Sequence, residues 1–294
     1  MSSEVTTVDT RGQTPALEAH QSFLVYRRFL YLKLAAALVG ASSLAYLIHS
    51  PRGGSNGGTW LGYTLGTIAA LIIVWLTWFG WRKRSYGQAR FSLASWLSAH
   101  VYFGLSLIVL ATLHCAFEFG YNIHTLAYVL MMLVIASGLF GIFAYTRYPR
   151  LITINRMGAT QTQMLGQIAS FDGEIRQAIL DMDDAIVKLV APAIQQDEIG
   201  GSMWRQLSGR YSKCPTAEAL RRVDAYARGL RSYQLAEVRA VLVLLTRKAE
   251  LLERVRRDIQ YKALMDIWLY VHVPLTFALL AALAAHIFAV FFYW

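Results

Sequence analysis

Two stretches decide the fold of this chain, HVPLTFALLAALAAH from His272 to His286 and HVYFGLSLIVLATLH from His100 to His114. Neither contains a charged residue, and each places two histidines 14 positions apart. A helix turns by about 100° per residue, so 14 steps fall about 40° short of four full turns and both histidines of a stretch project from one helix face. They lie about 21 Å apart along the axis. That spacing is too long for one metal ion and suits two stacked cofactors.

The composition of the whole chain places these stretches in a membrane. Hydrophobic residues make up 56% and charged residues 16% of the 294 residues, against about 45–50% and about 25% in soluble domains. The net charge of +10 does not indicate nucleic-acid binding, because many Lys and Arg residues flank apolar runs, where they set membrane topology. Cys115 and Cys214 are the only cysteines. Covalent CxxCH haem attachment, four-cysteine iron–sulfur clusters and cysteine-rich zinc sites are therefore excluded.

Five segments are long and apolar enough to cross about 30 Å of hydrocarbon as helices. They are Phe29–Ile48, Trp60–Trp81, Leu93–Phe119, Thr125–Tyr145 and Ile267–Trp294. Basic residues concentrate before the first span, between the second and third, and after the fourth, so we expect a cytoplasmic N-terminus and an external C-terminus. The sequence predicts an all-α polytopic membrane helix bundle with five transmembrane helices, integral to a bacterial plasma membrane.

The polar segments define the remaining parts of the chain. We expect a polar N-terminal tail (1–26), transmembrane helices 1–4 (27–147), a cytoplasmic helical insert (148–263) and transmembrane helix 5 (264–294). In the insert, apolar residues recur at helical spacing in 164–186 and 235–255. This pattern predicts two long antiparallel helices with a shorter one between them, the last continuing into the fifth span. A twin-arginine export signal at Arg27 and Arg28 is a competing interpretation of the N-terminus.

The distribution of basic residues predicts that both histidine-bearing spans run from the cytoplasm outward. Each histidine of one span then has a partner at the same depth in the other. His100 and His272 then lie near the inner leaflet, and His114 and His286 near the outer leaflet. A haem between the two helices at each depth would receive one imidazole from each, and such six-coordinate iron suits electron transfer. A histidine in a span can instead bond a neighbouring carbonyl, but the repeated offset favours ligation. We predict two haem b groups, with the inner iron bound by His100/His272 and the outer iron by His114/His286.

On these residues the sequence resembles the dihaem cytochrome b superfamily. In the cytochrome b of quinol-oxidising complexes, and in ferric-reductase-like membrane domains, two helices separated by one intervening helix carry such pairs, as do the third and fifth spans here. The resemblance implies haem ligation and makes quinone the expected small redox substrate. It covers the membrane part only, because the long insert is not a usual part of those domains. We also expect no flavin or nicotinamide domain after the fifth span, unlike in a complete ferric reductase.

The loop between the third and fourth spans, EFGYNIHT, carries a second candidate site. Glu118, Tyr121 and His124 would lie beside the outer haem, where a carboxylate or an imidazole can exchange protons with a quinone. The alternative is an interfacial turn with an aromatic anchor. Cys115 is expected to be a small core residue. Glycines in the second and fourth spans are expected to make close helix contacts; they are Gly62, Gly66, Gly138 and Gly141.

These observations favour a dihaem b-type subunit that transfers electrons across the bilayer between a redox partner and the quinone pool. The chain carries no pattern for hydride handling or an iron–sulfur relay, so a redox partner subunit is implied, and we expect it to dock on the insert. We expect no further catalytic residues and no nucleic-acid partner. One alternative is the membrane subunit of a ferric or other extracellular-acceptor reductase. A non-haem membrane scaffold or sensor is the alternative of another class.

Overall fold

The computed structural model describes residues 23–51, 56–84, 93–195, 198–211, 214–229 and 235–292. These residues are folded as α-helices joined by turns, without a strand among them, so the predicted all-α class is confirmed. Of the polar tail predicted for 1–26, residues 1–22 lie outside the described part of the chain.

The helices follow one another along the chain in the order α1 to α9. Their bounds are α1 Tyr26–Ile48, α2 Trp60–Arg84, α3 Leu93–His114, α4 Ile123–Arg156, α5 Gln161–Ala178, α6 Asp184–Gln195, α7 Met203–Ser208, α8 Pro215–Ala227 and α9 Leu235–Phe292. Within the described ranges, five helices are long and apolar enough to cross a membrane, namely α1, α2, α3, α4 and α9. The protein is therefore an integral membrane helix bundle, as predicted.

The chain divides into two compact units. Unit 1 comprises 1–146 and 268–294, and unit 2 comprises 147–267. Helices α4 and α9 contribute residues to both units. The five apolar segments predicted as spans fall almost entirely in unit 1, and the polar insert corresponds closely to unit 2.

One helix boundary and one number of helices differ from those expected. Helix α3 ends at His114 and not at Phe119, because Ala116 and Phe117 adopt positive φ angles of 49° and 63° that an α-helix cannot contain. Among the described residues of unit 2, three helices, α6 to α8, lie between α5 and α9, where one was expected. Gly200 and Gly201, with φ angles of 81° and 96°, separate α6 from α7.

An apolar layer forms the core of unit 1. Leu107, Leu110 and Leu279 are buried together with residues of α2 and α4, and α3 packs closely along α1 and α2. Leu107 is seven residues from each histidine of its helix, and Leu279 is seven residues from each histidine of α9. The two helices thus contribute to one dry layer halfway between their histidines.

Buried charges connect the helices of unit 2. The Lys248 side chain is fully buried between two apolar clusters along α9, and its Nζ donates hydrogen bonds to Asp172 on α5 and to the Ala193 carbonyl on α6. Asp258 is also fully buried, and Arg156 donates two hydrogen bonds of 2.6 and 2.9 Å to it. Each pair joins α9 to another segment of the unit.

We predict that Asp172→Ala destabilises unit 2 by about 3 kcal/mol, because it leaves the Lys248 ammonium buried without its counter-charge. The buried Cys214 thiol reports the change. In a Cys115→Ala background, the full chain in detergent should react with a thiol reagent much faster at Cys214 when Asp172 is replaced. Glu253→Ala, which breaks an exposed ion pair with Arg257, should change the rate little. Equal rates in the two variants would contradict the prediction.

Candidate metal and cofactor site

Three histidines meet at one end of the unit 1 helices, and we call this group the outer triad. His114 is the last residue of α3, His124 lies in the first turn of α4, and His286 lies near the end of α9. Their ring centroids are separated by 5.1 Å for His114–His124, 4.8 Å for His124–His286 and 6.2 Å for His114–His286. One ring nitrogen from each lies within 4.8 Å of the others. Three metal-ligand side chains from three helices therefore surround one point.

The orientation of His114 is set by two glycines of α2. Its Nδ1 lies 2.7 Å from the Gly62 carbonyl oxygen, which can only accept, so Nδ1 donates the proton and the lone pair stays on Nε2. A Cβ atom added at Gly66 would lie 2.6 Å from Cε1 of the same ring. The missing side chain of Gly66 is thus what admits the imidazole, and the carbonyl of Gly62 fixes its tautomer. Such outer-shell partners are typical of metal-binding histidines.

His124 reaches the outer triad because α3 ends early. The chain turns at Ala116 and Phe117 and then starts α4, which brings His124 back over the last residues of α3. Its Nε2 is hydrogen-bonded to the Sγ atom of Cys115 at 2.8 Å, and its ring stacks on His114 at an interplanar angle of 28°. Cys115 is buried. A thiol is thus added to the three imidazoles.

The other end of unit 1 holds His100 and His272, which we call the inner pair. The two rings are close enough to interact electrostatically. Ser137 on α4 donates its hydroxyl proton to the Val134 carbonyl at 2.7 Å and lies 2.8 Å from His272 Nδ1. The hydroxyl oxygen therefore accepts from Nδ1–H, and the lone pair of His272 is again on Nε2. The same tautomer is set at both ends of the unit by different groups.

Two glycines of α4 make room beside the inner pair. A Cβ atom at Gly138 would lie 3.6 Å from Cε1 of His272, and one at Gly141 would lie 2.3 Å from Cε2 of Trp268. The Trp268 ring packs against His272 with a centroid separation of 5.2 Å. These glycines and Gly66 therefore make close contacts between helices, as expected, and the side chains that they admit belong to the candidate sites.

The structure brings together both predicted histidine pairs but not the predicted loop site. His100 lies with His272, and His114 lies with His286, so α3 and α9 run in the same direction within unit 1. Haem ligation by these pairs stays a prediction. Glu118 and Tyr121 are exposed on the loop, whereas His124 is half-buried in the outer triad. A quinone or proton site built from all three residues stays a prediction, and the His124 ring faces His114 and His286.

Three residues near the sites make contacts that the sequence does not predict. Cys115 is a hydrogen-bond partner of His124, Ser137 orients His272, and Trp268 packs on the same ring. The sequence position could have indicated two of these contacts. Cys115 lies one position after His114, and Trp268 lies one helical turn before His272. Ser137 carries no such signal, because its contact joins helices that are distant in the sequence.

Comparison of the chain with protein-family models, with curated proteins and with solved structures gave no match.

We predict that Gly66→Ala weakens cofactor or metal binding at the outer triad about 10-fold or more, because the new methyl group must push the His114 ring off its hydrogen bond with Gly62. Redox titration of the purified full chain should show loss of the component assigned to this end while the other component remains. Gly40→Ala is the matched control, since a Cβ atom there meets nothing within 4 Å. Retention of both components in Gly66→Ala would show that the close approach is not needed.

Proposed function

We propose that this protein is a dihaem b-type membrane subunit that moves electrons across the bilayer between a redox partner and the quinone pool. The observation that carries the proposal is the arrangement of four histidines. Two parallel helices each supply one imidazole at the inner pair and one at the outer triad, with the Leu107–Leu279 layer between them. The proposal assigns the inner haem to His100 and His272 and the outer haem to His114 and His286.

The donor atoms fit this assignment at both ends. His114 and His272 donate from Nδ1 to α2 and α4 and so keep Nε2 available as a ligand. Two imidazoles on opposite sides of one metal have centroids about 6 Å apart, given metal–nitrogen bonds of about 2 Å. The 6.2 Å separation of His114 and His286 agrees with that value. The two His124 separations are shorter, so His114 and His286 are the residues that would hold the outer haem.

A haem held by two imidazoles at each end would supply one-electron transfer. The protein's own contribution is to hold the ligand rings. Gly62 and Ser137 fix the tautomers, Gly66 and Gly138 leave room for the rings, and the apolar layer excludes water between the two ends. We propose that electrons enter or leave through a partner subunit, with unit 2 as its docking part.

A reductase of an acceptor outside the membrane is the second candidate function. It is favoured by the exposure of the loop next to the outer triad, in which the side chains of Phe117 and Tyr121 are open to solvent. An acceptor in solution could approach His124 over this loop. Reduction of ferric chelates by membrane vesicles, compared with reduction of a quinone analogue, separates the two candidates.

We predict about two non-covalent haem b groups per chain in the purified protein. Acid acetone should extract both, because the chain has no CxxCH sequence for covalent attachment. The pyridine haemochrome spectrum and the protein concentration give the stoichiometry. A value near zero would exclude a haem function and favour the scaffold or sensor class. A value near one would limit the proposal to one histidine pair.

Single replacements should separate the two haems. We expect His100→Ala or His272→Ala to remove one redox component and His114→Ala or His286→Ala to remove the other, because each iron loses one of two axial bonds. His49→Ala is the control, because His49 follows α1 and packs its ring against Trp60. It should leave both components in place. If His100→Ala and His286→Ala removed the same component, the pairing would be wrong.

A further inference from the structure

The proposed dihaem function uses two of the three imidazoles in the outer triad as haem ligands and gives His124 and Cys115 no part in haem binding. His124 is not at the margin of this group. Its ring is nearer to both His114 and His286 than those two are to each other. The inner pair shows no equivalent third imidazole among the described residues.

In this structure the His124 ring occupies part of the space that a porphyrin between His114 and His286 would fill. The three centroid separations form a triangle in which the His124 ring lies about 4 Å from the midpoint of the other two. The ring is also nearly equidistant from them, so it lies close to the plane that a macrocycle would occupy. A porphyrin extends about 4 Å or more from its iron in that plane. The His124 ring must therefore turn aside before haem can enter.

The same triangle suits a small ion. Two imidazoles at a tetrahedral angle on one metal have centroids about 5 Å apart, given metal–nitrogen bonds of about 2.1 Å. The separations of His124 from His114 and from His286, 5.1 and 4.8 Å, agree with this value. Only the His114–His286 separation of 6.2 Å has to shorten, by about 1 Å, which a small rotation of either side chain provides.

We propose that the outer triad binds a divalent transition-metal ion of the Zn²⁺ type when haem is absent from this end of the protein. The inference rests on the proposed function, since it names what the same site holds before haem enters. His114, His124 and His286 supply three imidazole ligands. The Cys115 sulfur is hydrogen-bonded to His124 Nε2 at 2.8 Å but lies outside the set of ligand atoms that meet within 4.8 Å. It supplies the fourth ligand, as a thiolate whose proton passes to solvent, after it moves to about 3.6 Å from His124 Nε2 and toward the other two imidazoles.

The chemistry of the donors selects the class of ion. Imidazole and thiolate ligands suit Zn²⁺ and its neighbours in the first transition row, whereas Mg²⁺ and Ca²⁺ require oxygen ligands. The only nearby carboxylate of the connecting loop, that of Glu118, is exposed and outside the triad. The three histidines are half-buried and adjoin the exposed residues 117–122, so an ion can enter from the water at the helix ends.

One consequence is that Zn²⁺ and haem compete for His114 and His286, and that His124 takes part in only one of the two states. Removal of His124 should therefore separate the two kinds of binding. This separation distinguishes a metal site from a histidine that merely packs beside the haem ligands.

The test compares full-length protein purified in detergent from haem-depleted cells with the haem-loaded protein. Zn²⁺ binding is measured by competition with a chromophoric chelator, and circular dichroism checks that every sample is folded. We expect one Zn²⁺ per haem-free chain and none at this site in the loaded chain. His124→Ala should weaken Zn²⁺ binding at least about 100-fold and leave the haem content of the loaded protein unchanged. His49→Ala, the matched histidine control, should alter neither value.

A Co²⁺ probe examines the fourth ligand. The Co²⁺-loaded protein should show a sulfur-to-metal charge-transfer band that Cys115→Ala abolishes while three-histidine binding persists. The proposal is overturned if folded haem-free protein binds no Zn²⁺, if His124→Ala binds it as tightly as the parent, or if the loaded protein still binds it through His124. The haem stoichiometry is measured separately, so failure of the metal site leaves the dihaem proposal standing, and absence of haem leaves Zn²⁺ binding measurable.

Discussion

An imidazole inside an apolar helix bundle has to form hydrogen bonds or bind a metal, because an unpaired polar group in hydrocarbon costs several kcal/mol. In unit 1, polar groups of neighbouring helices form hydrogen bonds with two of the histidines. α2 offers the carbonyl of Gly62 to His114, and α4 offers the hydroxyl of Ser137 to His272. Both partners accept a hydrogen bond from Nδ1–H, which leaves the Nε2 lone pair available to bind a metal. The close packing of α2 against α3 depends on this contact, since any side chain at Gly66 would occupy the space of the His114 ring.

Hydrophobic length and periodicity predicted most of this fold, and for a physical reason. Five apolar segments and one 14-residue offset constrain each helix individually, and they place His100, His114, His272 and His286 correctly by helix and by face. Contacts between helices are not encoded in this way. Ser137 and His272 are 135 positions apart, and nothing in either local sequence indicates that they meet. The early end of α3 depends on two left-handed residues within an apolar run, which hydropathy does not detect.

The early end of α3 also explains why the sequence predicts a loop site for His124. A helix continuing to Phe119 would carry the chain away from His114 before α4 began. The turn at Ala116 and Phe117 instead reverses the chain at once, and non-glycine residues in that conformation are uncommon and are often found at functional sites. In unit 2 the apolar stripes were visible in the sequence. The number of short helices was not, because their order depends on buried contacts such as Lys248 with Asp172.

The two ends of unit 1 therefore differ in a way that their shared 14-residue spacing conceals. At the inner pair, His272 is held by a serine that is itself hydrogen-bonded to the helix, and Trp268 packs on its ring. At the outer triad, a third imidazole lies within 4.8 Å of the other ligand nitrogens and is hydrogen-bonded to a thiol, beside an exposed loop. Ligand exchange needs an alternative ligand and a path for it to move, and only the outer triad has both among the described residues. The proposed exchange between haem and a metal ion is therefore confined to the outer triad, whereas packing holds the inner pair in place.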